Sequence, residues 1–297
     1  MKILLTGSSG RIGRAIYRQL AERHDLVCLD LIPSATTDLV ASISDHTAIT
    51  KVMDGVDAVI HVAALHAPHV GLRSEEEFRL LNVQSTLALA RLAQNSGVRK
   101  FVFTSTTALY GEASSKAGRA AWITEATVPE PRTIYHQTKL QAETGLKQLS
   151  EDTGLSVSVI RMSRCFPEPV TLMAPYRLHR GIDARDVARA HVLALDFQEA
   201  SFSRFIISGK TPFLEEDCEE LFLNAPAVIA KRCPELFHAF KQRQWPLTRS
   251  IDRVYDSSLA TKILGWQPHY GFEEVISQLD ALSPEVLPIR SKWSAIE

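Results

Sequence analysis

Short, continuous apolar runs recur along the first two thirds of the chain, alternating with longer stretches whose apolar positions repeat at helical spacing. The runs predict strands near Lys2–Thr6, Leu26–Asp30, Asp57–Ala63, Lys100–Ser105 and Ser156–Met162. The longer stretches predict helices near Arg11–Arg23, His46–Met53, Glu75–Ser96 and Tyr135–Thr153. Strands that are apolar throughout and separated by helices belong to a parallel sheet covered on both faces, so the expected class is α/β, a doubly wound parallel sheet of the Rossmann kind. After Met162 the pattern loosens at Pro167, Pro169 and Pro175, before Gly181–Asp186 opens another helix through Leu195 and a strand at Arg204–Ser208 rejoins the sheet. The expected division is a Rossmann domain over 1–162, its sheet completed by 182–208, and a smaller substrate-covering lobe from 163–181 and 209–297.

The first strand runs into Thr6-Gly7-Ser8-Ser9-Gly10-Arg11-Ile12-Gly13, and the second ends at Asp30. A strand that turns through glycines into a helix leaves free backbone N–H groups and the positive end of the helix facing a ligand, which suits a pyrophosphate. Gly7 can make the tight turn, Gly10 admits close approach, and Gly13 lets the new helix pack. The spacing, G-x-x-G-x-x-G, is one residue longer than the common dinucleotide fingerprint. Asp30 strengthens the reading, because a carboxylate some twenty residues on can accept hydrogen bonds from ribose hydroxyls. No cation follows it in Leu31-Ile32-Pro33, so NAD is expected over NADP.

Composition narrows the partners. With 297 residues and a net charge of −1, the chain can bury a full core and has no electrostatic reason to seek nucleic acid or a membrane surface. The N-terminal apolar run is three residues long and neither a signal peptide nor a span, which makes a cytoplasmic location the default expectation. Four scattered cysteines, Cys28, Cys165, Cys218 and Cys233, read as buried thiols. His61, His66 and His69 lack a carboxylate or thiolate at metal-ligand spacing, so satisfied or substrate-facing histidines are expected and no metal.

Lys100–Thr106 is an apolar run ending in hydroxyls, and Tyr135 and Lys139 stand four apart at the start of a helix. That spacing puts phenol and ammonium on one helical face, where the lysine can lower the phenol pKa from about 10. A tyrosinate so prepared could take a proton from a substrate hydroxyl, with Thr106 hydrogen-bonding the same oxygen.

Taken together, these motifs resemble the extended short-chain dehydrogenase/reductases, the NAD-dependent epimerase/dehydratase family, over nearly the whole chain. The resemblance implies a cofactor site of Gly7, Ser9, Gly10, Arg11, Ile12, Gly13, Asp30, Ala63, Ala64, Asn82, Tyr135 and Lys139, a catalytic set of Thr106, Tyr135 and Lys139, and a homodimer built through helices Glu75–Ser96 and Ile134–Thr153. Arg185–Ala190 and Leu264–Pro268 match later family motifs of structural kind. Two departures stand out: Ser42 occupies the usual place of an adenine-contacting aspartate, and the stretch from Cys165 to Gly181 is short for an enzyme that holds a nucleoside diphosphate. Arg161–Pro169 is similar to the corresponding segment of uronate dehydrogenases, except that Arg164 stands where those enzymes carry a serine and Arg177 is the nearest arginine to their sugar-acid contact.

The resemblance therefore implies an NAD-dependent oxidoreductase acting on a hydroxyl or carbonyl of a small sugar, sugar acid or similar metabolite. His66, Thr107, Arg164 and Arg177 are the expected substrate contacts, unless the arginines pair with acidic neighbours such as Glu168 and Asp183. A nucleotide-sugar epimerase with bound NAD and a non-catalytic NAD-binding sensor remain the alternatives.

Overall fold

The structure is a computed structural model that describes residues 1–114, 118–197 and 200–289. The apolar runs form β1 (Lys2–Thr6), β2 (Asp25–Asp30), β4 (Ala58–His61), β5 (Lys100–Thr106), β7 (Ser156–Met162) and β8 (Phe202–Ile207), and a two-residue β3 (Leu39–Val40) adds an edge. They pair in parallel in the order β3-β2-β1-β4-β5-β7-β8. The chain leaves β1 toward one edge, then crosses back to β4 and proceeds to the other. This reversal between β1 and β4 opens a crevice at the carboxyl ends of the strands, where α/β sheets bind their ligands.

Alternation along each strand divides the core. Ile3 and Leu5 turn to a cluster with Ile16, Leu20, Val187 and Trp266, beneath α1 (Arg11–Leu20) and α7 (Ala184–Asp196). Leu4 and Val59 turn the other way, to a cluster with Leu89, Ala90, Phe101, Phe103, Ala142 and Leu146. That face is covered by α2 (His46–Val52), α4 (Thr86–Asn95) and α5 (Ile134–Thr153). Each Leu, Ile or Phe so enclosed contributes about 1.5–3 kcal/mol.

The helix expected over Glu75–Ser96 is interrupted: α3 (Glu75–Arg79) passes into a π-helical stretch, Leu80–Ser85, before α4. The wider turn carries Asn82, and such insertions are often found at functional sites. Two further differences lie outside the main sheet. The proline-rich stretch after Met162 contains α6 (Val170–Tyr176), and β6 (Ala121–Ile123) pairs in parallel with β9 (Arg253–Tyr255). Three-residue strands carry too few alternating positions to show a period.

A separate apolar cluster joins α6 to α8 (Cys218–Arg232), α9 (Pro234–Gln242) and α11 (Phe272–Asp280) through Met173, Phe213, Leu221, Ile229, Phe240, Phe272 and Val275. Ala120 joins this cluster from the first half of the chain, whereas Ala260 and Leu264 of α10 (Ser258–Leu264) pack on the sheet side with Trp266.

Candidate active site

The glycine loop follows β1 into the crevice. Gly7 takes a φ of +75°, and a Cβ there would lie 2.6 Å from the Ala63 nitrogen, so both turn and neighbouring strand demand glycine. At Gly13 a Cβ would fall 2.0 Å from the Gly7 carbonyl oxygen, which places the first turn of α1 directly on the loop. Gly10 caps that helix without a side-chain bond, leaving the N–H groups of its first turn, including those of Arg11 and Ile12, at the crevice. The Asp30 carboxylate accepts from the Ser9 N–H and the Ile32 N–H, each at 3.0 Å, and so braces the loop from the end of β2. The Ser42 hydroxyl bonds to Ser44 at 2.7 Å.

His61 is fully buried, bonded to Thr6 at 2.7 Å and Thr86 at 2.9 Å, and burial lowers its pKa to about 3. It is a neutral structural link between β1, β4 and α4. The chain after β4 runs through the half-buried Ala63 and Ala64 to Leu65, whose N–H and carbonyl both bond the Asn82 carboxamide at 2.8 Å. Asn82 also donates to Thr138 at 3.2 Å, tying this loop to α5.

At the end of β5 the Thr106 hydroxyl accepts from the Ala108 N–H at 3.1 Å and lies close enough to the Tyr135 phenol to favour its ionised form. Lys139 is buried one turn further along α5, its ammonium 4.1 Å from the centre of the Phe103 ring. The three expected catalytic residues therefore meet beside the cofactor loop. Their electrostatics differ from the expectation. Burial pushes the Tyr135 phenol up to about 12, against the pull of the nearby Thr106 hydroxyl, and burial brings Lys139 down to about 7, against Glu143. In the protein alone, enclosure outweighs the attraction that was to lower the phenol pKa, because the same enclosure weakens the hold of Lys139 on its charge.

The NAD dependent epimerase/dehydratase family model matches residues 3–170, more than half of the chain and all of the elements just described. The chain belongs to this family. Its cofactor is NAD, and the glycine loop with Asp30 fits that group: bare N–H groups for the pyrophosphate and a carboxylate for the ribose. An NAD-dependent glucose-6-phosphate dehydrogenase of Haloferax volcanii is 31% identical over 148 residues, 46% of this chain and 52% of that protein, so the chain spans about half of that enzyme's length. Among solved structures, a short-chain dehydrogenase/reductase superfamily protein from Agrobacterium tumefaciens superposes with a TM-score of 0.72 at 20% identity, covering 95% of this chain and 96% of that one. A mutated uronate dehydrogenase gives 0.66 at 17% identity over 97% of this chain and 89% of the other. At such identities the likeness is one of fold.

The other motifs of this family member fall where structure needs them. Asp186 accepts from the His269 and Tyr270 N–H groups at 2.9 and 3.0 Å, and Trp266 donates to the Asp186 carbonyl at 2.9 Å. Among the residues expected at the substrate, His66 lies close enough to Lys139 for that charge to lower its pKa further below burial's effect, and its ring stacks on Phe166 at 6.2 Å. Thr107 is buried beside Thr106. Arg164 is half-exposed and forks onto Glu168 at 2.8 Å, whereas Arg177 is buried against Asp183 at 3.2 Å. Both arginines thus have a carboxylate of the chain's own. The small cavity between them, about 10 Å³ and lined also by Phe166 and Tyr176, has room for no more than about one water. The four cysteines are free and buried. Among the described residues no three His, Cys, Asp or Glu side chains gather as for a metal ion, and no helix is long and apolar enough to cross a membrane.

Sequence reasoning missed a buried ionic group under the site. Glu143, one turn beyond Lys139, takes a fork from Arg161 of β7 and a hydrogen bond from Ser105 of β5. Its signal was present as an arginine near the end of a buried strand.

Proposed function

We propose that the protein is an NAD-dependent oxidoreductase that interconverts a hydroxyl and a carbonyl on a small sugar or sugar acid. The observation that carries this reading is the Thr106 hydroxyl beside the Tyr135 phenol, with Lys139 one turn on, at the carboxyl end of β5. The family name admits epimerases and dehydratases as well; the short stretch from Cys165 to Gly181 favours a substrate without a nucleotide.

Bound NAD supplies the hydride acceptor at the substrate carbon. In oxidation Tyr135 Oη takes the hydroxyl proton while Thr106 Oγ hydrogen-bonds the substrate oxygen; in reduction the same phenol returns the proton to the carbonyl oxygen. A phenol that holds its proton near neutral pH is already set for the reductive direction, and Lys139, when cationic, favours the oxidative one. His66, Thr107 and the outward side of Arg164 are the groups proposed to meet the rest of the substrate.

The test is net turnover of free NAD. The protein is incubated with NAD or NADH and a set of hexoses, hexuronic acids, their lactones and UDP-sugars, and absorbance at 340 nm is followed. Stoichiometric NADH formation or consumption with a sugar or sugar acid is expected. Conversion of a UDP-sugar to its epimer without net NAD change overturns the reading in favour of an epimerase.

A further inference from the structure

We propose that Glu143 is a positioning residue for the catalytic pair, its carboxylate tying α5 to the end of β5 and supplying the anion one turn from the Lys139 ammonium. The inference rests on the reading of Tyr135 and Lys139 as catalytic.

The carboxylate is 3% exposed and shared by three elements that carry the site. From β5, Ser105 Oγ donates to Oε1 at 2.5 Å, and Ser105 is the residue before Thr106. From β7, the fully buried Arg161 donates through Nε at 3.1 Å to both oxygens and through Nη2 at 2.6 Å to Oε2. The remaining arm of Arg161 reaches the Tyr110 hydroxyl at 2.9 Å, which donates to the Thr124 carbonyl at 3.0 Å. Glu143 is therefore fixed to the sheet from two strands, and through it the face of α5 that presents Tyr135 and Lys139 is fixed against Thr106.

The second role is electrostatic. Residues four apart on a helix are neighbours, so the Glu143 carboxylate stands one turn from Lys139 on the same face, near enough to act on the ammonium without pairing with it. Among the described residues, the groups that face Lys139 from elsewhere bring no other negative charge. Phe103 of β5 offers its ring face, while burial holds His61 of β4 neutral and shifts His66 of the following loop toward its neutral form, with Lys139 itself contributing to the lowering of each. Tyr135, on its own helix, keeps its proton. Glu143 is the group that acts to keep Lys139 charged. Arg161, which cannot lose its proton, already draws on the same carboxylate, so the field left for Lys139 is partial. One anion shared between two cations is an arrangement that leaves Lys139 poised near neutrality instead of firmly charged.

A purely structural clamp would hold α5 in place without setting the lysine's charge, and the two roles separate by titration. Protein carrying lysine labelled with ¹³C at Cε is titrated by NMR, the Lys139 signal being identified by its loss in Lys139→Met. In Glu143→Gln, which keeps an acceptor for Ser105 but removes the charge, the Lys139 pKa is expected to fall by about one to two units. Glu143→Asp should restore most of that shift. Because Glu143→Gln leaves Arg161 buried without its anion, the double variant Glu143→Gln with Arg161→Gln is titrated too. It removes both charges, and a smaller fall in the same direction is expected. In turnover, the alkaline limb of kcat/KM should move down with the Lys139 pKa. A Lys139 pKa within about 0.3 units of wild type in either folded variant overturns the inference. Tyr135→Phe, assayed alongside, tells the two ideas apart. If that variant keeps its activity the catalytic reading fails, whereas an inactive Tyr135→Phe with an unmoved Lys139 pKa removes Glu143 alone.

Discussion

Asn82→Ala is the substitution whose consequence is best determined by the geometry. The carboxamide accepts from the Leu65 N–H and donates to the Leu65 carbonyl, both at 2.8 Å, and donates to Thr138 at 3.2 Å. Thr138 also bonds to the carbonyls of Ile134 and Tyr135 at 2.8 and 3.1 Å, so it needs no replacement partner. The loss falls on Leu65, whose two backbone groups are left without a protein partner in a half-buried loop. Each such group costs about 1–3 kcal/mol, and partial access of water puts the sum at about 2–4 kcal/mol. At about 2–4 °C per kcal/mol for a chain of this size, the melting temperature should fall by roughly 4–16 °C. The loop also carries Ala63 and Ala64 along the cofactor crevice, so NAD should bind about tenfold more weakly, equivalent to about 1.4 kcal/mol. Urea unfolding followed by circular dichroism measures the first effect and calorimetric titration with NAD the second. No substrate needs to be known. A variant within about 0.5 kcal/mol of wild type, with unchanged NAD affinity, would show that Asn82 does not hold this loop.

Four further outcomes are expected. Tyr135→Phe should lower turnover by about 10²–10⁴-fold while leaving NAD affinity within a small factor; retention of more than about a tenth of the rate would place the proton-transfer group elsewhere. Asp30→Ala removes the carboxylate that would repel a 2′-phosphate, so the ratio of NADP to NAD dissociation constants should narrow, and an unaltered ratio would count against its role. Gly13→Ala drives a methyl into the Gly7 carbonyl and Ser8 Cα, at 2.0 and 2.8 Å, and should cost both stability and at least tenfold in NAD affinity, whereas Gly10→Ala, whose nearest atom is 3.3 Å away, should melt close to wild type. Lys100, buried among Ser156, Ser158 and the Phe197 carbonyl and with no carboxylate partner among the described residues, has its pKa lowered to about 8 by burial. Because the folded pKa lies below the unfolded one, its destabilising effect is full below pH 8 and fades as pH rises toward 10.5. Stability relative to Lys100→Met should thus rise by about 2–3 kcal/mol between pH 7.5 and 10, and a flat difference would refute the shift.

Much of the fold was legible because its signals are local. A strand buried on both faces must be apolar along its length, and the helices between must each present an apolar stripe, so β1, β2, β4, β5 and β7 and their helices stand out without knowledge of their neighbours. The glycine loop is legible for the same reason: Gly7 and Gly13 answer to one turn and to the helix that starts from it. β6 and β9 were not legible, since three residues hold no period and the two pair across 132 positions of sequence. Nor was the π-helical stretch at Asn82, which depends on how α5 and the loop after β4 draw that carboxamide inward.

By itself, the sequence determined the doubly wound sheet, the cofactor loop and the identity of the residues that meet at its edge, since each follows from periodicity or spacing within a short window. The charge states at the site were decided only by the tertiary structure. Spacing of Tyr135 and Lys139 says that phenol and ammonium share a helix face, but not how much water remains around them, nor that Arg161 arrives from β7 to compete for Glu143. For Arg164 and Arg177 the sequence left substrate and the neighbouring Glu168 and Asp183 both open as partners, and the folded loop decides for the carboxylates. Desolvation and charge depend on everything within a few ångströms in space, and the linear sequence fixes that neighbourhood only through the completed fold.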